Sequence, residues 1–163
     1  MAILFHSCFP LSLQQMQNVF SKILITSVGS RLYGLEFGIG PGSIKIRFIH
    51  LQPLGQQPFT LWVNMESKWA VFTVEPVYNQ DIPTISEEEM YQYIIELRRK
   101  KVVNVSLGER EPHLLIHFED EKTLYVNGHH DHYECWQAGD DDGEGWLVVA
   151  MPGDDIAFWE PED

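Results

Sequence analysis

The residues best suited to chemistry lie in one short segment, His129-His130-Asp131-His132, followed by Glu134 and Cys135. Imidazole, carboxylate and thiolate groups are the usual zinc ligands, and a cysteine beside a histidine can act as a nucleophile. The nearest other histidines, His113 and His117, are not at a familiar ligand spacing. We therefore predict a solvated turn with no cofactor and no metal. The candidates for the alternative, a metal-binding or thiol enzyme, are His129, His130, His132 and Cys135.

A second segment, Gly139-Asp140-Asp141-Asp142-Gly143-Glu144, is rich in the carboxylates that calcium prefers. If Gly143 is the sixth residue of an EF-hand loop, Ala138 occupies position one and Val149 occupies position twelve. Both positions require carboxylates, so the segment is better interpreted as a charged loop between two strands.

Motifs for other kinds of catalysis are missing from the sequence. It contains no G-x-S-x-G, no P-loop and no dinucleotide-binding fingerprint, since the glycines of 38–42 precede a strand and have the wrong spacing. The basic run Arg98–Lys101 follows a predicted helix, where positive charge opposes the negative end of the helix dipole. We predict that the chain is not an enzyme and has no catalytic residue.

The negative charge is confined to the carboxyl-terminal part of the chain. Residues 1–118 carry ten acidic and ten basic side chains, whereas 119–163 carry fourteen acidic side chains and Lys122, which accounts for the whole net charge of −13. A segment with this charge repels nucleic acid and anionic membrane and attracts a basic protein. Aromatic residues are interspersed with the acids, which a purely solubilising tail does not require.

The remaining bulk properties indicate an ordinary globular protein. Length and a 44% hydrophobic content fit a single domain over 1–163, and no apolar run approaches the ~20 residues of a membrane span. The apolar start of the chain lacks the basic residues and cleavage site of a secretory signal. Two cysteines, Cys8 and Cys135, do not make a disulfide framework, so we expect a reducing, cytoplasmic setting.

Periodicity predicts two helices and a series of strands. Ser12 caps a helix that reaches Ile23, and Ser86 with Glu89 forms a capping box for a second helix that ends in the basic run. Between turns rich in Gly, Pro and Asp, short β-rich runs indicate antiparallel strands. These runs are 32–37, 44–49, 60–63, 69–74, 102–107, 114–118, 123–126, 133–137, 146–150 and 156–159. The predicted fold is α+β, mainly an antiparallel sheet with two principal helices.

The two halves of the chain share the order helix, then strands. Thr60–Asn64 (TLWVN) is similar to Thr123–Asn127 (TLYVN), and each is followed by a tryptophan, Trp69 or Trp136. We interpret this as two similar halves, near 1–80 and 81–163.

The carboxyl-terminal pattern resembles that of a group of bacterial proteins. The pattern consists of Tyr133-Glu134-Cys135-Trp136, an acidic turn, the strand Trp146–Val149, and Pro152 to Trp159. Through this pattern, the last quarter of the chain resembles small acidic immunity proteins of polymorphic or contact-dependent toxin systems. The resemblance implies a cytoplasmic antitoxin-like protein that blocks a toxin, such as a nuclease with a basic cleft.

We accordingly expect stoichiometric binding of a basic partner through an acidic, aromatic surface, without nucleic acid or membrane partners. Apolar anchors are expected among aromatic side chains, because Trp and Tyr dominate binding hot spots. An alternative is a structural subunit that oligomerises through a sheet edge, and the sequence leaves the oligomeric state open. The residues expected to contact the partner are Asp140, Asp141, Asp142, Glu144, Asp154, Asp155, Tyr133, Trp146 and Trp159.

Overall fold

A computed structural model describes residues 11–73, 82–140 and 145–160, which form two helices and ten strands. The fold is α+β and mainly antiparallel sheet, as the sequence predicts. In chain order the elements are α1 (Leu13–Ser27), β1 (Arg31–Phe37), β2 (Ile44–Ile49), β3 (Thr60–Met65), β4 (Trp69–Phe72), α2 (Glu87–Glu96), β5 (Val102–Leu107), β6 (Leu114–Phe118), β7 (Thr123–Val126), β8 (Trp136–Asp140), β9 (Leu147–Ala150) and β10 (Ile156–Trp159).

A serine caps the start of each helix, as the sequence predicts. At α1, the Ser12 hydroxyl accepts from the Gln15 amide (3.2 Å) and the Gln15 side chain accepts from the Ser12 amide (2.8 Å), which is a reciprocal capping box. At α2, the Ser86 hydroxyl accepts from the Glu89 amide at 3.2 Å. Helix α1 buries Val19 and Ile23, and thus anchors one side of the core.

Helix α2 is shorter than the sequence predicts. It ends at Glu96 with Leu97 as its C-cap, so the basic run 98–101 lies beyond the helix rather than in its last turn. Arg99 turns the chain with a positive φ of 68° and donates its amide to Leu32 O (2.8 Å). The chain reverses here so that Lys101, just before β5, can form an isolated β-bridge with Arg31, and this reversal ends the helix early.

The strands form two antiparallel sheets, a division that the sequence prediction of a mainly antiparallel sheet does not include. The six-stranded sheet has the order β1-β2-β3-β8-β9-β10, and the four-stranded sheet has the order β4-β7-β6-β5. Alternation explains the inner face of the larger sheet: Ile44, Ile46 and Phe48 of β2 are buried, while the intervening Lys45 and Arg47 are not.

One hydrophobic core joins the two sheets and α1. Its cluster includes Val63 and Trp136 from the larger sheet and Leu124 and Ile116 from the smaller one. A cavity between the sheets is lined almost entirely by apolar side chains, among them Phe48, Val105 and Ile116. The two sheets and α1 therefore share one core.

The two halves of the chain repeat the same order of strands. In the first half, β1-β2-β3 are neighbours in one sheet and β4 crosses to the other sheet, where it pairs with β7. In the second half, β5-β6-β7 are neighbours and β8 crosses back to pair with β3. Each half therefore supplies the fourth strand of the other half's sheet, and β9 and β10 are additions to the second half.

The strand pairing in the two halves has the same register. Leu32 pairs with Phe48 and Val102 pairs with Phe118, each residue of the second pair lying 70 positions after its counterpart. The same β-bulge follows in both strands, between Leu32 and Gly34 and between Val102 and Asn104.

The tryptophans noted in the sequence occupy equivalent positions in the two halves. Trp69 begins β4 opposite Val126 and donates to Gly42 O (2.7 Å), while Trp136 begins β8 opposite Met65 and donates to Pro112 O (2.7 Å). This equivalence aligns Met65 with Val126. The TLWVN and TLYVN similarity aligns Val63 with Val126 instead, so it is two residues out of register.

Strand β8 starts later than predicted. The sequence places a strand at 133–137, whereas Tyr133, Glu134 and Cys135 precede the strand that begins at Trp136. The Cys135 carbonyl accepts from the amides of Glu66 and Ser67 (3.0 and 3.1 Å), which fixes it at the point where the chain crosses between the sheets. None of the described helices has both the length and the apolar character needed to cross a membrane.

Candidate functional site

The loops of the sandwich gather at two opposite ends, and one of them carries the histidine segment. Strand pairing brings 108–113, between β5 and β6, close to 127–135, between β7 and β8, and to 151–155, between β9 and β10. We call these three loops the histidine end, and we call 127–135 the crossover loop. They contain six carboxylates and one basic side chain, Arg110, a net charge of −5; the acids are Glu109, Glu111, Asp131, Glu134, Asp154 and Asp155.

The acidic residues expected to form one patch are divided between the two ends. Asp154 and Asp155 lie at the histidine end, whereas Asp140 lies at the far end of β8, opposite Leu61. Strand β9 separates them, because it runs from the far end to the histidine end. The expected single patch is therefore wrong for the residues that the structure describes.

The surroundings of Asp140 also do not suit an exposed charge that attracts a partner. Its carboxylate lies where a side chain at residue 145 would begin: a Cβ added to Gly145 would be 1.6 Å from Asp140 Oδ1. The carboxylate is thus packed against the main chain instead of extending into solvent. The other acids of this loop, Asp141, Asp142 and Glu144, lie outside the described residues.

The three predicted aromatic anchors have different environments. Trp146 is only 5% exposed and lines the cavity between the sheets, so the expectation that it is a surface anchor is wrong. Trp159 is 45% exposed on β10 opposite Leu147, near the far end. Tyr133 is 69% exposed within the crossover loop, and its ring lies 4.7 Å from the ring of His130. Tyr133 is the one of the three at the histidine end.

Three side chains meet where the loops of the histidine end converge. His129 Nδ1 lies 2.6 Å from Asp154 Oδ1 and 3.8 Å from Glu111 Oε1. One potential ligand atom from each of the three residues lies within 4.8 Å of the other two. The hydrogen bond with Asp154 is the main cause that raises the pKa of His129 above its ordinary value. An imidazolium and two carboxylates can thus form an ion-paired cluster here.

The other metal candidates do not join this cluster. Nδ1 of His130 accepts hydrogen bonds from the amides of His132 and Tyr133 (3.0 and 3.1 Å), so that nitrogen is already used in shaping the loop. His132 is exposed, with its ring 6.2 Å from that of His130. Of the four candidates, only His129 belongs to a group of described residues that could hold a metal.

Cys135 is poorly suited to nucleophilic chemistry. Its side chain is completely buried, and burial raises the pKa of the thiol. A cysteine nucleophile reacts as the thiolate, which this environment disfavours. Within the described residues, Cys135 therefore acts as a small apolar core side chain.

Sequence analysis missed Glu111, and it set His113 aside because of its spacing from the histidine segment. Glu111 stands in a turn between two strands, where an acidic residue is expected without any function, and His113 is distant in sequence from the histidine segment. The signal that could have found them is the repeat, which pairs β6 with β7 and so brings 108–113 next to the crossover loop.

No protein-family model, curated protein or solved structure matches this chain.

Proposed function

We propose that the chain is an immunity-like protein that neutralises a basic toxin by stoichiometric binding, and that the histidine end is its binding surface. The observation that carries this proposal is the length of the crossover loop. Residues 66–68 suffice to cross between the sheets in the first half, whereas 127–135 make the equivalent crossing in the second half. The additional residues are not required by the fold, and elaborated loops on a rigid scaffold are where binding residues are commonly found.

The exposed part of the crossover loop has the composition of a protein-binding surface. Asp131, His132, Tyr133 and Glu134 are all exposed. Tyr133 supplies a large amphipathic side chain whose ring already lies against His130, so little conformational entropy is lost on binding.

The charge of the histidine end favours a basic partner over other partners. Its net charge of −5 would accelerate docking of a cationic protein and would repel the phosphates of nucleic acid. A toxin nuclease carries a basic cleft of this kind, because it must bind phosphates itself. Inhibition by covering such a cleft requires no catalytic residue, which fits the burial of Cys135. A cytoplasmic location belongs to the same proposal.

The proposal is tested by affinity capture from the source cells, followed by a growth assay with the captured protein. We expect one basic protein in a 1:1 complex whose expression alone stops growth and whose co-expression with the chain restores it. Reversing two charges beside Tyr133, with Asp131→Lys and Glu134→Lys in one variant, should weaken the complex and increase the toxin's effect on growth.

A matched control reverses two exposed acids outside the histidine end, Glu88→Lys with Glu121→Lys. The net charge is then the same in both variants, so only position differs. Equal loss of binding in the two variants would mean that overall charge is responsible, and retained binding in the first variant would reject the histidine end as the surface.

A further inference from the structure

Three loops place one imidazole and two carboxylates around a common point. Glu111 comes from 108–113, His129 from the crossover loop and Asp154 from 151–155. The distances from His129 Nδ1 are 2.6 Å to Asp154 Oδ1 and 3.8 Å to Glu111 Oε1. Ligand atoms in a tetrahedral site with bonds of 2.0–2.2 Å lie roughly 3.4 Å apart, so small side-chain rotations would suffice to accommodate an ion.

His113 holds Glu111 in a defined orientation. The Gly128 amide donates to His113 Nδ1 (2.9 Å), so the proton of a neutral His113 is on Nε2, which donates to Glu111 Oε2 at 2.6 Å. The other carboxylate oxygen, Oε1, is left facing His129. A second histidine or carboxylate behind a ligand is a usual feature of metal sites, because it fixes the orientation of the ligand.

Hydrogen bonds and close packing also fix the main chain of the three loops that carry the cluster. The Asn127 side chain donates to His129 O (2.9 Å) and accepts from His129 N (3.3 Å). The Gly153 amide donates to His130 O (3.0 Å), which joins 151–155 to the crossover loop. Gly128 approaches Pro112 so closely that a Cβ would lie 2.0 Å from its carbonyl oxygen, and therefore needs to be glycine. The three loops are thus held together independently of the side chains of the cluster.

We propose that Glu111, His129 and Asp154 bind a divalent transition-metal ion, with Zn²⁺ as the best candidate. An imidazole nitrogen favours Zn²⁺ over the hard ions Mg²⁺ and Ca²⁺, and two carboxylates balance its charge. Binding at Nδ1 releases the proton that is shared with Asp154, and this proton passes to solvent. The side chains of His129, Asp154 and Glu111 are 47%, 33% and 37% exposed, so the ion can enter and retain water as a further ligand.

The inference goes beyond toxin binding and does not depend on it, because it is tested with the ion alone. Protein without a histidine tag is stripped with a chelator and titrated with ZnCl₂ by calorimetry, with MgCl₂ as a comparison. We expect one Zn²⁺ per chain and no heat from Mg²⁺. We also expect a higher unfolding temperature with Zn²⁺, because the ion binds the folded state.

Substitutions then locate the site. His129→Ala should weaken binding at least tenfold, and His113→Ala should weaken it roughly 10- to 100-fold, as is usual for residues that orient a ligand. His132→Ala is the matched control, since His132 is exposed in the same loop and lies outside the cluster. Its affinity should equal that of the unaltered protein.

The nitrogen that coordinates the ion provides a readout independent of affinity. In ¹⁵N spectra, Nδ1 of His129 should change from a protonated to a metal-bound shift on adding Zn²⁺. If His129→Ala is poorly folded by circular dichroism, Asp154→Asn replaces it in the titration. Absence of Zn²⁺ binding, unchanged affinity in these variants, or a metal-bound shift at His130 or His132 instead would each overturn the proposal.

Discussion

Cys135 illustrates how the surroundings of a residue decide its chemistry. From the sequence, a cysteine near three histidines is a possible nucleophile. In the structure its side chain is fully buried and its backbone links two segments, with the amide donating to Ala150 O (3.0 Å) and the carbonyl accepting from Glu66 and Ser67. The residue therefore contributes to packing, while His129, six positions earlier, reaches the surface cluster.

We predict that Cys135 reacts slowly with Ellman's reagent in the folded protein. Burial both blocks access and raises the pKa of the thiol, so little thiolate is present. The measurement uses a Cys8→Ser background, which leaves Cys135 as the remaining thiol. Its rate should rise to that of a free thiol in denaturant, and rapid reaction without denaturant would revive the thiol-enzyme hypothesis.

At the level of residues, the sequence could identify part of the candidate site. Asp154 and Tyr133 were predicted to contact a partner because of their residue types, whereas His129 was named only as a candidate for the alternative metal or thiol site. Glu111 was missed because its role depends on His113 and on a loop that only the folded chain brings near. The anchor role of Trp146 was wrong for a related reason: Trp146 lies just before β9, and its burial depends on how the two sheets pack around the cavity that it lines.

At the scale of the elements, the turn that follows each helix differs between the two halves. Gly29 has φ of 92°, and its counterpart 70 positions later, Arg99, has φ of 68°. Both donate an amide across to the other half, Gly29 to Val102 O and Arg99 to Leu32 O, at 2.8 Å. The first half uses glycine for this left-handed conformation, while the second half places a side chain there.

We predict that Arg99→Gly stabilises the protein by about 1 kcal/mol, because it removes the cost of a side chain in the left-handed region. The Arg99 side chain is exposed, so little packing is lost. Urea denaturation gives the free energy of unfolding. The neighbouring Arg98→Gly is the matched control, since Arg98 does not have a positive φ, and it should destabilise by about 0.5–1 kcal/mol. The same sign for both variants would contradict the argument.

Glu119 links elements of the two sheets at the end opposite the histidines. Its Oε1 accepts from the Lys101 amide (3.0 Å) and from Arg31 Nη1 (3.2 Å). The hydrogen bond from Lys101, aided by the charge of Arg31, lowers the pKa of Glu119. A carboxylate with a lowered pKa stabilises the folded state above its unfolded-state pKa, which is about 4.3 for glutamate.

We therefore expect Glu119→Gln to lower the unfolding temperature at neutral pH. The difference from the unaltered protein should persist down to about pH 4.3 and disappear as the pH falls through the lower folded-state pKa. Thermal melts over a range of acidic pH test this. Glu121→Gln, which alters a neighbouring exposed carboxylate, should have little effect at any pH.

Most of the elements could be predicted from the sequence, and their arrangement could not. Strands 44–49, 102–107, 114–118, 123–126 and 156–159 have the predicted bounds, because alternating apolar residues and turn residues determine them locally. The division into two sheets depends on which strands pair across the whole chain. No local pattern distinguishes β3 followed by a hairpin from β3 followed by a crossing to the other sheet.

At the scale of the whole molecule, we expect the two sheets to unfold in a single transition because they share one hydrophobic core. Val63→Ala in β3 and Leu124→Ala in β7 should each lower the midpoint seen by near-ultraviolet and far-ultraviolet circular dichroism equally. Leu124→Ala should cost about 2–5 kcal/mol, since Leu124 is fully buried. Separate midpoints for the two signals would contradict a single transition.

The exchange of strands also affects how the protein is made. During synthesis, β3 emerges long before β8, its neighbour in the finished sheet, and until then its outer backbone groups have no strand to pair with. The first half therefore leaves the ribosome with an open edge that another nascent copy could occupy. Because the closing contacts join distant parts of the chain, we expect folding in roughly milliseconds to seconds, slower than a helical protein of this length.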